Sequence, residues 1–378
     1  MKTTQKTLAV YTPGLGVLSE TFIFRHLTQL HPKTVAIFST NRKPQAGNWD
    51  VSIPKYNAST KMHWLWERFR ASRKESKYLR RFDPLCCFLK RHKVTVMMAQ
   101  YMDQSLHMID VCNTLGISLF IHAHGRDVSG CLKDPLMQEQ YLRYRDLAGI
   151  ITINQESKRA LKELGLREER IHVISCGTEI PERSPGALRT KNEVQCTAVG
   201  RFTNIKAPIL LLESFRRALL IQPNLRLNYI GGGELFAAAK QFVNVFDLSN
   251  QVELLGPQPP EVVSKTLSAS DIFIQHSATD PVTGDKEGFP VSILEAMSHA
   301  LPVISTRHAG IIEQVEEGIS GELVDEGDVQ SMAQHIASLA NNQKQRERMG
   351  RAARERLEKN FTWRIERAKL RHLLGLEE

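Results

Sequence analysis

Residues 286–310, KEGFPVSILEAMSHALPVISTRHAG, constrain the fold more than any other stretch, because a loop, a helix and a buried strand must follow one another within 25 residues. Proline suits the first turn of a helix, where its missing N–H had no partner to lose. The spacing therefore predicts a helix from Pro290 or Val291 to about His299. Two carboxylates separated by seven residues bracket the helix start, Glu287 on the loop and Glu295 inside the helix. The main-chain N–H groups of Val291 and Ser292 then point outward with the positive end of the helix dipole, which suits a phosphate. A carboxylate on either side of a phosphate site can accept hydrogen bonds from sugar hydroxyls. Taken alone, the pair reads as two solvated glutamates on an amphipathic helix, since charged residues are mostly surface residues.

The longer run EGFPVSILEAMSHALPVISTRHAGIIEQV resembles the signature of the retaining nucleotide-sugar glycosyltransferases of family 4, in residue types, spacing and the order of loop, helix and strand. That resemblance implies that Glu287 holds hydroxyls of the donor sugar and Glu295 the ribose hydroxyls of the nucleotide. Gly288, Phe289, Pro290, Val291 and Ser292 would then belong to the same donor site. Ala300 departs from the pattern, standing where the family often has glycine.

At 378 residues the chain exceeds the usual size of one core, so two domains are expected. No apolar run approaches the roughly eighteen residues of a membrane helix, and the opening MKTTQKTLAVY lacks the apolar core of a signal peptide. A cytoplasmic protein is expected. Six cysteines without a C-x-x-C pair suggest neither a zinc site nor a disulfide framework. The net charge of +9 is concentrated: residues 61–93 hold eleven Lys or Arg against three acids. Met62, Leu65, Trp66 and Phe69 fall there at helical spacing, with Arg68, Arg70, Arg73 and Lys74 among them. Such a segment reads as a solvated helix or as a face for an anionic membrane or acceptor. Nothing in it matches a nucleic-acid-binding module.

Strands are expected at 8–11, 33–39, 94–99, 117–121, 149–153 and 171–174, with helices at 19–30 and 155–164 between them. The first strand runs into Thr12-Pro13-Gly14-Leu15-Gly16, a glycine turn before a helix, as in the first unit of a Rossmann half. On its own the turn is a weak signal, because the third glycine of the dinucleotide fingerprint is missing. Ser19-Glu20-Thr21-Phe22-Ile23 resembles the N-terminal motif of exopolysaccharide and colanic-acid-type members of the same family, which implies a place for Gly16 near the transferred sugar. His122-Ala123-His124-Gly125-Arg126-Asp127 ends a strand at the carboxyl edge where open α/β sheets bind ligands. His-Gly-x-Asp resembles the family's inter-domain histidine, matched here to His124, while Asp127 reads as a helix cap.

Gly177, Pro181, Pro185 and Gly186, within 175–192, mark a linker between an N-terminal acceptor domain over 1–180 and a donor domain over 193–358. The last helix, within 359–378, is expected to return to the first domain. The second half restarts at 194–199 and turns at Gly200-Arg201-Phe202-Thr203-Asn204-Ile205-Lys206. Arg supplies a planar fork and Lys a mobile point charge, a pairing suited to a diphosphate. Gly-Arg-x4-Lys resembles the family's diphosphate clamp, with Gly200 on the nucleotide side and Ala207 where glycine is usual. Strands at 225–230 and 252–255 each run into a glycine turn expected to close around the nucleotide base.

The fold class expected is α/β, a GT-B pair of Rossmann-like domains facing each other across a cleft. The function implied is a retaining hexosyltransferase that moves a sugar from a nucleoside diphosphate to a glycan or lipid-linked acceptor, in polysaccharide or glycolipid assembly. Its catalytic residues would be His124, Arg201, Lys206 and Glu287. No Asp-x-Asp motif is present, so neither a metal nor a cofactor is expected. Two other readings stay open: a sugar-nucleotide 2-epimerase, and a non-catalytic module that binds a nucleotide sugar.

Overall fold

The structure is a computed structural model of the chain and describes residues 6–16, 20–39, 52–58, 83–181 and 193–376. The basic residues 61–82 and the proposed linker residues 182–192 lie outside the described residues. The chain divides into two compact units, one of Met1–Ile174 with Arg367–Glu378 and one of Ser175–Glu366.

The first unit is built on a seven-stranded parallel sheet. Its strands are β1 (Leu8–Thr12), β2 (Thr34–Phe38), β3 (Lys55–Asn57), β4 (Val96–Gln100), β5 (Ser118–His122), β6 (Gly149–Thr152) and β7 (Ile171–Val173), in the spatial order β3-β2-β1-β4-β5-β6-β7. β1 and β4 pair in register, Leu8 opposite Val96 and Tyr11 opposite Ala99. Both strands are buried along their whole length, as parallel strands covered on two faces must be. Continuous apolar runs such as LAVYT and VMMAQ are the sequence form of that burial.

The second unit repeats the plan with six parallel strands. These are β8 (Val194–Val199), β9 (Leu225–Ile230), β10 (Val252–Gly256), β11 (Ile272–Ile274), β12 (Val303–Thr306) and β13 (Gly321–Val324), ordered β10-β9-β8-β11-β12-β13. Helices Pro208–Leu219 and Val329–Asn341 bury Leu211, Leu212, Phe215, Met332 and Ile336 in its core. The strand order reverses between β8 and β11, so the loops that leave these two strands diverge at their carboxyl ends. In open α/β sheets that divergence is where ligands bind.

Lys55–Asn57 and Gly321–Val324 go unmarked in the sequence, and both lie at a sheet edge. An edge strand has a neighbour on one side only, and Lys55–Asn57 has no fully buried residue and no apolar run to betray it. The predicted helices are shorter than expected at their ends, with Thr21–Thr28 in place of 19–30 and Gln155–Glu163 in place of 155–164. Asp127 caps no helix that follows it. Its carboxylate accepts the main-chain N–H of His124 at Oδ1 (2.7 Å) and at Oδ2 (2.7 Å) that of Met102, the first residue of helix Met102–Leu115, tying the ends of β4 and β5 together.

Candidate active site

The loop after β8 carries Gly200, Arg201 and Lys206, and the loop after β11 carries Glu287, so the two flank the strand-order reversal. Lys206 Nζ and Glu287 Oε2 are 2.5 Å apart, with side chains only 12% and 16% exposed. Burial by itself would raise the Glu287 carboxyl. The Lys206 charge and hydrogen bond, followed by the charge of Arg201, outweigh burial and hold it below the ordinary glutamate range. Glu287 is therefore an ionised, acceptor-only group near neutral pH. Arg201 is exposed beside this pair.

The Gly200–Lys206 loop lies directly on the glycine turn after β9. Gly200 N–H donates to Ile230 (3.0 Å), Phe202 N–H to Gly232 (2.9 Å), and Leu235 N–H returns to Phe202 (2.9 Å). Gly231 sits at φ 142°, and a Cβ there would stand 1.9 Å from the Gly200 carbonyl oxygen. No other residue fits such an approach. Gly231 and Gly233, where a Cβ would stand 2.6 Å from the Phe202 carbonyl oxygen, thus have a packing reason, to let the Arg201 loop come close.

Helix Val291–Ser298 begins after Pro290 and has no side-chain N-cap. Its start is held from outside by Gln314 Nε2, which donates to the Pro290 carbonyl (3.0 Å), and by Ser292, whose hydroxyl donates to Gln275 Oε1 (2.8 Å). Gln275 in turn donates to Ser277 Oγ, 3.0 Å away at the end of β11. These bonds leave the Val291 and Ser292 N–H groups facing outward at the positive helix end. Gly288, Phe289 and Pro290 are buried, whereas Glu295 is half-buried one turn into the helix.

One group here carries no sequence-based expectation. His308, directly after β12, accepts the Glu287 main-chain N–H at Nε2 (2.9 Å), and its Nδ1 lies 2.5 Å from Glu326 Oε1. Its only sequence signal is its position at the carboxyl end of a buried strand. Glu326 also accepts the Thr279 N–H at 2.8 Å. Burial acts to raise the Glu326 carboxyl, but the Thr279 and His308 hydrogen bonds prevail and lower it.

His124 and Gly16 belong to the first unit. His124 is 8% exposed, and its Nε2 lies 2.9 Å from Gln100 Oε1, while Gln100 Nε2 lies 3.2 Å from His26 Nδ1. One amide orientation satisfies both rings, with Gln100 accepting from His124 and donating to His26. Burial, then the neighbouring His26, push the His124 imidazole down to about 3, so it is neutral near pH 7. His122, the alternative histidine, is fully buried with neither ring nitrogen hydrogen-bonded. Gly16 lies in the turn after β1. Among the described residues no group of three or more His, Cys, Asp or Glu is arranged to hold a metal.

The fold is shared with known glycosyltransferase structures. The Anabaena protein Alr3699/HepE, crystallised with UDP and glucose, superposes with a TM-score of 0.76 over 98% of this chain and 99% of that one, at 17% identity. The lipopolysaccharide outer core galactosyltransferase WaaB superposes with a TM-score of 0.69 over 98% and 99%, at 16% identity. These likenesses place the two parallel-sheet units in the GT-B class. The amylovoran biosynthesis glycosyltransferase AmsK of Erwinia amylovora is 32% identical over 259 residues, 66% of this chain and 62% of AmsK. The chain thus spans about three fifths of the length of that curated relative. The family model described as glycosyl transferases group 1 matches residues 181–356, the stretch that contains Arg201, Lys206, Glu287 and Glu295. The second unit is therefore a group 1 glycosyltransferase domain.

Proposed function

We propose that this protein is a metal-independent, retaining glycosyltransferase that moves a sugar from a nucleoside diphosphate to a glycan or lipid-linked acceptor in polysaccharide assembly. The observation that carries the reading is the buried Lys206–Glu287 pair at the strand-order reversal, with Arg201 exposed beside it. Departure of the diphosphate is the hard step, and preorganised positive charge stabilises the charge that grows there. Lys206, Arg201 and the N-terminus of helix Val291–Ser298 supply that charge. Lys206 has three donors, so it can keep Glu287 and still reach a phosphate oxygen.

Glu287, ionised and held on one side by Lys206, has acceptor capacity left for hydroxyls of the donor sugar. Glu295 is assigned to the ribose. His124, neutral and giving its Nε2 proton to Gln100, keeps a free Nδ1 lone pair that can accept from a hydroxyl. A membrane-bound acceptor is supported only by the basic residues 61–93 and their aromatic neighbours.

The test is product analysis with UDP-sugars first, since the Anabaena relative was crystallised with UDP and glucose. Free nucleoside diphosphate released in the presence of acceptor, undiminished by excess chelator, is the expected result. Lys206→Ala should lower turnover by roughly 10²-fold, as for the loss of one transition-state donor. Inversion at C2 of the donor sugar without acceptor would support the epimerase instead, and tight donor binding without any turnover would support the binding module.

A further inference from the structure

We propose that His308 is a positioning residue for Glu287, the middle link of a latch that runs from Thr279 through Glu326 and His308 to the main chain of Glu287. The link to turnover rests on the glycosyltransferase reading above. The latch itself rests on geometry.

An N–H can only donate, so the 2.9 Å bond from the Glu287 amide requires a lone pair on His308 Nε2. The ring proton then sits on Nδ1, where Glu326 Oε1 accepts it at 2.5 Å. Glu326 also takes the Thr279 N–H at Oε2, 2.8 Å away. One carboxylate therefore holds the loop 279–287 at both ends, directly at Thr279 and through the imidazole at Glu287. The loop between closes on itself, with the Asp280 N–H donating to the Asp285 carbonyl (2.9 Å) and the Asp280 carboxylate taking Val282 N–H (2.8 Å) and Thr283 N–H (3.0 Å). Its tip is open to solvent, with Val282 84% exposed. The His308 bond fixes the main chain of the loop's last residue.

Glu287 is thus held twice and by different groups, its carboxylate by Lys206 and its backbone by His308. The ion pair alone sets a distance between two side chains and leaves the backbone free to slide. The second anchor sets where the carboxylate stands relative to the diphosphate contacts. Those contacts have their own supports, Ser292 to Gln275 and Gln314 to Pro290, which do not pass through His308. Loss of the latch should accordingly impair the reacting sugar and spare the diphosphate.

His308→Leu fills the same volume without either hydrogen bond. His308→Gln can accept from Glu287 with its amide oxygen and donate to Glu326 with its amide nitrogen, because one primary amide carries both functions. In the Leu variant kcat should fall by about 10- to 100-fold, the scale of a misplacement near 1 Å. The dissociation constant for free UDP should stay within about threefold of the unmodified protein, and the Gln variant should recover most of the kcat. Hydrogen exchange over peptides covering 286–290 reads the latch without any substrate, and the Glu287 amide should exchange faster in the Leu variant and as in the original in the Gln variant. Glu326→Gln, which weakens the chain from its far end without opening a cavity, should give a smaller loss of the same kind.

Unchanged exchange at Glu287 in a folded Leu variant overturns the latch. So does a Gln variant no better than Leu in both kcat and exchange, since the ring would then act by packing alone. Faster exchange with unchanged kcat overturns the positioning role while leaving the latch. An original protein that turns over no nucleotide sugar defeats the glycosyltransferase reading, and exchange still decides the latch.

Discussion

Ala207 and Ala300 both adopt left-handed backbone, at φ 37° and 57°. Each follows a functional element, Ala207 the turn Asn204–Lys206 and Ala300 the helix Val291–Ser298. A β-carbon in this region costs about 1–2 kcal/mol, and glycine gives part of that back through the greater freedom of the unfolded chain. Ala207→Gly and Ala300→Gly should each raise stability by about 0.5–1 kcal/mol in urea denaturation. A loss of stability in both would mean that the backbone there is not strained. The Lys206–Glu287 pair works in the opposite sense to strain. Because the folded carboxyl lies below its unfolded value near 4.5, its stabilisation is complete above that pH and is lost as pH falls through the folded value. The stability gap between the original protein and Lys206→Ala should therefore shrink on acidification below about pH 4.5.

At the scale of elements, helix Val291–Ser298 is short and gains its place from what surrounds it. Helix Gln343–Asn360 packs against the residue that ends it, so that a Cβ on Gly350 would stand 2.0 Å from the Ala300 carbonyl oxygen. Further along the same helix Arg356 donates to the carbonyls of Glu313 (2.9 Å) and of Gln314 (2.7 Å), the residue that holds Pro290. Helix propensity favours alanine over glycine by about 1 kcal/mol, but a 2.0 Å contact with backbone cannot be relieved by a side-chain rotation. The steric term wins, and Gly350→Ala should destabilise by about 1–3 kcal/mol in thermal or chemical denaturation. A neutral or stabilising result would show that the two helices can part freely. The central strands of both sheets were legible because buried parallel strands are continuous apolar runs. The edge strands Lys55–Asn57 and Gly321–Val324 were not, because the segments KYN and GELV are too short and too polar to form an apolar run.

For the whole molecule, the contact division assigns Arg367–Glu378 to the first unit although it follows the second in sequence. Leu370, Leu374 and Leu376 are buried, and Arg371 lies within 3.4 Å of the Leu30 carbonyl. Burying three leucines is worth roughly 5 kcal/mol, comparable with the entire stability of many domains. Ending the chain at Glu366 should leave the first unit open to proteolysis while the second stays resistant, and a truncated chain that melts as the original does would contradict this. The alternation of apolar runs with glycine turns determined two Rossmann-like halves, because strand period and turn chemistry are local properties of a chain, and the resemblance carried by the stretches around Arg201, Lys206, Glu287 and Glu295 proposed these as donor-site residues. Only tertiary structure decided that Lys206 and Glu287 meet at the strand-order reversal, that Gly231 and Gly233 serve the approach of one backbone to another, and that His308 and Glu326 hold the loop. Those facts join residues from 18 to 81 positions apart, and no local pattern of side chains encodes which strand lies beside which.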